Sequence, residues 1–359
     1  MPTPNYQPNK QTASTPSHRQ QTKRASDTKA ADKDKNKRRN TFITAVSIFV
    51  VIILVISIAY YLIYVMPFQR VIIKVDNDVV KINYLLKRAL NSSSDDPLGI
   101  SFLDTLAYEL IIMQEAPKNG INVTDQDIDT YLHDMAKGDS ESITDDEYKE
   151  WYRQLLNNTQ YSNTELRNLV KLTLYQQRMF QLIADNTPTI TEQWHLWVII
   201  VKTYEEAVSV QERAANGEEF ASLARELSLD TTAKENGGDI GWFPWDYLDT
   251  NVQSILAGLD IGECSAPINN NPGADMNDIE AQSFALYMIS EKDVAREVPP
   301  EQLDTLKANT YQSWLNAQSE KRVIEYHGIH GGSYDSTTQA WLYYQLQRLK
   351  KGTTSSSTQ

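Results

Sequence analysis

The first seventy positions separate into a polar segment followed by a long apolar one. Residues 1–40 contain almost no apolar side chain and are rich in Pro, Thr, Gln, Lys and Arg, a composition that predicts disorder because little surface could be buried. Residues 42–66 are almost wholly apolar, and as a helix they would span about 37 Å, enough for a hydrocarbon core of about 30 Å. The pattern predicts a single transmembrane helix within residues 41–68. A cleaved signal peptide fits less well, because the apolar run is too long and no small-residue cleavage site follows it.

The region 70–186 has apolar positions at helical spacing. Residues 71–80 predict a short strand and a turn, and a helix follows from Lys81 to Leu90. Capping boxes, in which an acidic residue follows Ser or Thr by three positions, predict further helix starts at Ser101, Thr124 and Ser162. The apolar stripes behind these boxes indicate packed core without a catalytic motif, so the region is predicted to be a helical binding lobe.

Residues 187–293 show a different order of elements. A short apolar strand is predicted at residues 197–202, helices at 204–215, 218–227 and 250–257, and a closing strand at 283–290. Gly237, Gly238 and Gly241 lie close together directly before Trp242 and Phe243, which indicates a backbone that needs glycine. The predicted order is βααβαβ, and the whole chain is predicted to be α+β. Residues 294–350 are predicted to form C-terminal helices that complete the helical lobe, and 351–359 a disordered tail.

Charge is distributed unevenly along the chain. The chain has 359 residues and a formal net charge of −13, yet residues 1–40 carry ten basic and three acidic residues. The positive-inside rule therefore predicts that residues 1–40 are cytoplasmic and that the chain after Pro67 lies outside a cell membrane crossed once by residues 42–66. An acidic body argues against nucleic acid as a partner. With one cysteine, Cys264, five histidines and no HExxH or phosphate-loop motif, no metal or cofactor is expected.

Four blocks between residues 187 and 291 resemble the parvulin family of peptidyl-prolyl cis-trans isomerases. They read VIIVKTYEEA, NGEEFASLARELSLD, NGGDIGWF and GLDIGECSAPI. Residues 71 to about 185, with FLDTLAYELIIMQEAPKNGINVTDQDID, resemble the N-terminal chaperone region of extracytoplasmic foldases. The resemblance implies a small sheet of antiparallel type for residues 187–293, and a membrane-anchored foldase of the SurA, PrsA and PpiD group. Its partners would be unfolded or proline-containing exported polypeptides, and the oligomeric state stays open.

The resemblance also implies a set of site residues. The Cys/Asp position of the family falls on Asp230, which could be catalytic or could cap a helix end. The family's apolar slot for proline falls on Ile240, Leu248 and Val252, smaller residues without an aromatic wall. Trp242 and Phe243 next to this slot could contact substrate or pack beneath it.

Both family histidines are absent by this correspondence. Their positions fall on Val198 and Ala285, and His195 lies three residues too early to replace the first. Two functions follow as hypotheses: a weakly active isomerase that assists folding of exported proteins, or a parvulin-like chaperone that holds clients without isomerising them.

Overall fold

A computed structural model describes residues 41–271, 282–330 and 333–356. The predicted disordered segment 1–40 lies outside the described residues. The chain divides into two units, Met1–Arg70 and Val71–Gln359.

The described part of the first unit is a single apolar helix. Helix α1 covers residues 41–60 and continues through a π-helical turn, Tyr61–Val65, and a 3-10 turn, Met66–Gln69. The complete stretch Thr41–Gln69 has 29 residues and a mean hydropathy of 3.0 in its most apolar part. By length and composition it could cross a membrane, and the predicted helix is confirmed.

The second unit begins with a hairpin and a group of helices, and ends with two further helices. Two β-strands turn at Asp76, which has a positive φ of 55°. The elements outside the central domain are β1 (Val71–Val75), β2 (Asp78–Lys81), α2 (Ile82–Leu90), α3 (Ile100–Lys118), α4 (Asp125–Lys137), α5 (Asp145–Thr159), α6 (Asn163–Asp185), α11 (Pro300–Glu320), β7 (Ile324–Tyr326), β8 (Ile329–His330), β9 (Ser333–Tyr334) and α12 (Ser336–Ser356).

The helix starts test the capping predictions. Thr124 and Ser162 cap α4 and α6 through complete capping boxes, as predicted, and Thr144 does the same for α5. The predicted box at Ser101 is wrong: α3 begins at Ile100, and its N-cap is Gly99, two residues before the predicted cap and without a side-chain hydrogen bond. The apolar side chains of this helix pack into the core and position it without help from a cap, so Ser101 lies inside the first turn.

The C-terminal part of the chain returns to the N-terminal sheet. The sequence predicts helices over residues 294–350, but α11 ends at Glu320 and residues 324–326 form β7, which pairs antiparallel with β1. Ile73 faces Tyr326 in this register, and tertiary pairing of alternating apolar residues overrides the helical pattern. α12 packs on α2 and continues to Ser356, so residues 351–356 are helical rather than disordered.

The central domain is a four-stranded antiparallel sheet with two longer helices on one face and two short helices on the other. Its sheet has the strand order β4-β3-β6-β5. The elements are β3 (Ile190–Val201), α7 (Tyr204–Ala215), α8 (Phe220–Leu227), α9 (Thr231–Glu235), β4 (Asp239–Pro244), a 3-10 turn (Trp245–Tyr247), α10 (Thr250–Leu256), β5 (Ile268–Asn269) and β6 (Phe284–Glu297). The predicted order is confirmed, with a short α9 and β5 added. β3 and β6 are longer than predicted, because their polar ends are joined by main-chain pairing that leaves no apolar signature in the sequence.

Alternate residues of β3 contribute to two apolar cores on the two faces of the sheet. Ile199 and Val201 pack with Leu286 of β6 against α7 and α8. Trp194 and Leu196 pack on the opposite face with Ile289, Leu256 of α10 and side chains from β4. The second face is open to the candidate site.

Candidate active site

Two glycines fix the backbone at the edge of the site. Gly238 has a φ of +95°, and its carbonyl accepts a hydrogen bond from the Val198 amide at 2.7 Å. A Cβ at this position would lie 3.2 Å from the Val198 carbonyl oxygen and 3.1 Å from the Ala224 Cβ, so a side chain would be tightly packed as well as strained by the positive φ. Gly241, at φ +89°, lies in the bulge where β4 pairs with β3. This bulge places Ile240 and Phe243 on the same face of the sheet.

An apolar groove covers that face. Half-buried side chains from β4, the turn after it and α10 pack together on the buried core of Trp194, Leu196, Leu256 and Ile289. Four residues that the sequence assigned to the proline slot or its floor belong to this groove: Ile240, Phe243, Leu248 and Val252. The structure brings these four together, and we call this set the proline groove.

The expectation that the slot lacks an aromatic wall is wrong. Trp245 packs into the proline groove with its ring centroid 4.3 Å from that of Trp194, and Tyr287 of β6 packs against the same core. These rings come from positions that the family pattern does not use for the slot. A distant strand brings Tyr287 to the site, so sequence spacing could not identify it.

The two histidine positions lie beside the groove and are apolar and buried. Val198 is 5% exposed and Ala285 1%, and they form one cluster with Ala233 of α9. Val198 on β3 pairs with Tyr287 on β6, and Ala285 on β6 pairs with Ile200 on β3. Paired residues point to the same face of the sheet, and so do residues two apart on one strand. The two positions therefore lie on the same face of neighbouring strands. This part of the site therefore offers no side-chain polar group at either position.

Asp230 caps a helix next to this cluster. It is exposed, and its Oδ1 accepts a hydrogen bond from the Ala233 amide at 2.7 Å, which satisfies the first turn of α9. The capping alternative is thus observed. The catalytic role of Asp230 stays a prediction.

Trp242 lies apart from the proline groove. Its side chain alternates with that of Phe243, so it occupies the opposite face of the sheet, where its ring contacts that of His195 in a tilted arrangement, with centroids 5.1 Å apart and an interplanar angle of 33°. The guanidinium of Arg296 lies 4.4 Å from the Trp242 ring centroid. The structure therefore does not bring Trp242 together with the other predicted binding residues.

His195 joins three strands on this opposite face. Its Nε2 lies 3.0 Å from Oδ1 of Asp239 on β4, and its Nδ1 lies 2.6 Å from Oγ of Ser290 on β6. The Trp197 indole N–H also donates to Ser290 Oγ, at 3.1 Å. Sequence reasoning left this network out, since its members are far apart along the chain. It holds the sheet beneath the groove and contributes no group to it.

The described residues give little support for a catalytic nucleophile or a bound metal ion. Burial, together with the charge of Glu263, raises the pKa of the Cys264 thiol to about 11, which leaves it protonated at neutral pH. No group of three or more His, Cys, Asp or Glu side chains in the described ranges is placed to hold a metal ion. The arrangement suits binding of an apolar ring and a peptide bond rather than covalent catalysis.

The family model that matches the chain covers the same domain. Residues 200–278 match the description "Rotamase: PPIC-type PPIASE domain". This segment is a parvulin-type domain. The match includes α7 and α8 on one face of the sheet and, on the other, β4, the turn after it and α10, which carry the four residues of the proline groove.

Curated relatives extend the similarity beyond the domain. The chain is 29% identical over 173 residues to the foldase protein PrsA of Caldanaerobacter subterraneus, covering 48% of this chain and 53% of that protein. It is 28% identical over 154 residues to the chaperone SurA of Methylobacillus flagellatus, covering 40% of this chain and 34% of that protein. The chain thus spans about half or less of the length of these two relatives.

Among solved structures, the crystal structure of the peptidylprolyl isomerase PrsA from Bacillus anthracis aligns with 61% of this chain and 96% of its own. The identity is 18% and the TM-score 0.33.

Proposed function

We propose that this protein is a membrane-anchored, extracytoplasmic peptidyl-prolyl isomerase of low activity that assists the folding of exported proteins. The observation that carries the proposal is the proline groove, formed on one face of a parvulin-type sheet by Ile240, Phe243, Leu248 and Val252. The similarity to PrsA and SurA supports a foldase, and the apolar helix Thr41–Gln69 supports a membrane anchor.

The groove suits the chemistry of prolyl isomerisation. Rotation about an X–Pro bond has a barrier of about 18–20 kcal/mol, and no covalent bond has to form. An apolar groove holds the pyrrolidine ring and excludes water, which favours the less polar, twisted amide over the conjugated one. Low activity is expected because Val198 and Ala285 supply no hydrogen bond to the amide.

A protease-coupled assay with a proline peptide tests the proposal on the full chain in detergent micelles. We expect a rate above the uncatalysed one and well below that of a parvulin with both histidines. A rate equal to background, with the protein folded by circular dichroism, would contradict the isomerase function.

A second function, holding of unfolded clients without catalysis, is favoured by a cleft in the helical region. The cleft has a volume of about 260 Å³ next to the edge strand β2. Its lining is mainly apolar and includes Val79, Leu110, Met113 and Leu172. An extended segment could add to the β2 edge and place side chains in the cleft.

Suppression of aggregation of a proline-free client tests this holding function. Val79 is 42% exposed on β2, so Val79→Lys should put a charge at the cleft and weaken suppression. Val294→Lys is the matched control, since Val294 is 81% exposed on β6. Equal suppression by both variants and the wild type would place client binding elsewhere.

A further inference from the structure

Tyr287 lies where the proline groove meets the two histidine positions. Its ring packs against the groove core and also against the cluster of Val198, Ala233 and Ala285. In the antiparallel register it is the direct partner of Val198, and it follows Ala285 by two residues on the same face of β6. A phenol therefore occupies the space between the apolar groove and the positions that lack imidazoles.

Within the described part of the chain, the hydroxyl of Tyr287 has no hydrogen-bond acceptor. Among residues 41–271, 282–330 and 333–356, no hydrogen-bond partner of this hydroxyl is found, although the side chain is half-buried. Burial raises the pKa of Tyr287, and the nearby Asp249 carboxylate raises it further, because both disfavour the phenolate. The phenol thus keeps its proton at neutral pH.

The hydroxyl oxygen is not among the fully buried unpaired polar atoms of the described residues, so it is accessible at the edge of the groove and can meet a bound client. Asp249 already accepts a hydrogen bond from the Asn251 amide at 2.8 Å, as the cap of α10. A client amide in the groove would supply the missing acceptor. Asp249, at the start of α10, is near enough to Tyr287 to act on its pKa, and Tyr287 packs with Val252 of α10 in the same apolar cluster.

We infer that Tyr287 is a catalytic residue, whose hydroxyl donates a hydrogen bond to the nitrogen of the client X–Pro amide as that bond twists. This inference rests on the isomerase function proposed above. In the planar amide the nitrogen lone pair is shared with the carbonyl group, and twisting returns it to the nitrogen. A donor at the nitrogen is therefore bound more strongly in the twisted state than in the planar one, and such a difference lowers the barrier. The proton stays on the phenol oxygen, and no covalent bond forms or breaks.

Tyr287→Phe tests the inference, because it removes the hydroxyl and keeps the ring that packs the groove. The full chain in detergent micelles is assayed with a proline peptide, and kcat and KM are determined separately. We expect kcat to fall about 5- to 100-fold, less than the ~100- to 1000-fold seen when an oxyanion-hole donor is removed, because the twisted amide nitrogen carries no full charge; KM should change less than about twofold. Tyr311→Phe is the matched control: this half-buried tyrosine of α11 packs against Phe180 and Trp314 and should leave both constants unchanged.

The possible outcomes distinguish a failure of the proposed isomerase function from a failure of the proposed role of Tyr287. A wild type without activity above background overturns the isomerase function and this inference together. An active wild type with an equally active Tyr287→Phe variant overturns the role of Tyr287 and leaves the isomerase function standing. If the Tyr287→Phe variant loses activity through a higher KM, or if its thermal midpoint falls together with kcat, the hydroxyl acts through packing. Either result also overturns the catalytic role of Tyr287.

Discussion

Val198 and Ala285 set the chemistry of the site at the scale of single residues. Each is buried against Ala233, in the place where the family pattern has an imidazole. A parvulin-type site without these groups keeps the apolar part of the mechanism and loses most of the polar part. Low activity is therefore expected from these two apolar side chains, although the groove itself is complete.

Restoring both histidines tests this explanation. Val198→His with Ala285→His should raise isomerase activity more than the two single changes combined, because the side chains lie on the same face of paired strands and would share one hydrogen-bond network. Groups of this kind contribute ~10- to 1000-fold to a rate. The ring at position 285 meets Ala233, so overpacking should cost about 1–3 kcal/mol of stability.

The measurement is the peptide assay together with thermal unfolding of all four proteins. A double variant that folds and still has the wild-type rate would show that the groove, rather than the missing network, limits catalysis.

Leu248 tests the groove itself. Leu248→Asp would place an unpaired charge among Val252, Ile240 and Phe243, and we expect peptide binding to weaken by about 1–3 kcal/mol. Binding of a fluorescent proline peptide measures the change, with Leu229→Asp as a control, since Leu229 is 57% exposed outside the groove. Unchanged affinity in a folded Leu248→Asp variant would mean that clients bind elsewhere.

The sequence predicts the residues of the groove better than it predicts Tyr287 and the network of His195. Ile240, Leu248 and Val252 follow from the resemblance to the parvulin family, whose motif lies in one continuous local segment of the sequence. Tyr287 and the His195 network come from pairing between β3 and β6, nearly a hundred residues apart in the chain. Such long-range register has no local signature, so the aromatic wall was missed and Trp242 was placed in the wrong group.

At the scale of elements, the acidic residues of the capping boxes stabilise the starts of helices. The Thr144 hydroxyl and amide donate to the Glu147 carboxylate at 2.7 and 2.9 Å and hold the pKa of Glu147 below its usual value. A hydrogen bond from Arg178, with others from Thr124, lowers the pKa of Asp127 in the same way. Helix starts were predictable because these boxes are local, whereas β7 and the arms of β3 and β6 depend on partners distant in the sequence.

These carboxylates predict how stability depends on pH. Their pKa values are lower in the folded protein than in the unfolded chain, so their contribution is present above about pH 4.5 and is lost as pH falls through the folded pKa. Glu147→Gln should lower the thermal midpoint at pH 7 and leave it close to that of the wild type at pH 3. Glu141→Gln, in the exposed segment before α5, is the control and should have little effect at either pH. A constant difference between Glu147→Gln and the wild type from pH 7 to pH 3 would contradict the prediction.

At the scale of the whole molecule, charge and hydropathy divide the chain at the same place. Ten basic residues precede an uncharged stretch of helix, and the remaining 319 residues carry a net charge of −20. An acidic exterior would favour neutral or basic clients through long-range attraction. For a foldase of exported proteins, the groove and the cleft beside β2 would both have to face the outside.

The predicted orientation of the chain in the membrane follows from the same uneven distribution of charge, and it can be measured by cysteine labelling. In a Cys264→Ala background, a membrane-impermeant maleimide should label Ser94→Cys in intact cells, because Ser94 is exposed in the loop before α3. Ser14→Cys should be labelled only after lysis, since the basic segment is expected to stay inside. Labelling of Ser14→Cys in intact cells would reverse the orientation, place the parvulin-type domain in the cytoplasm, and exclude exported polypeptides as clients met outside the cell.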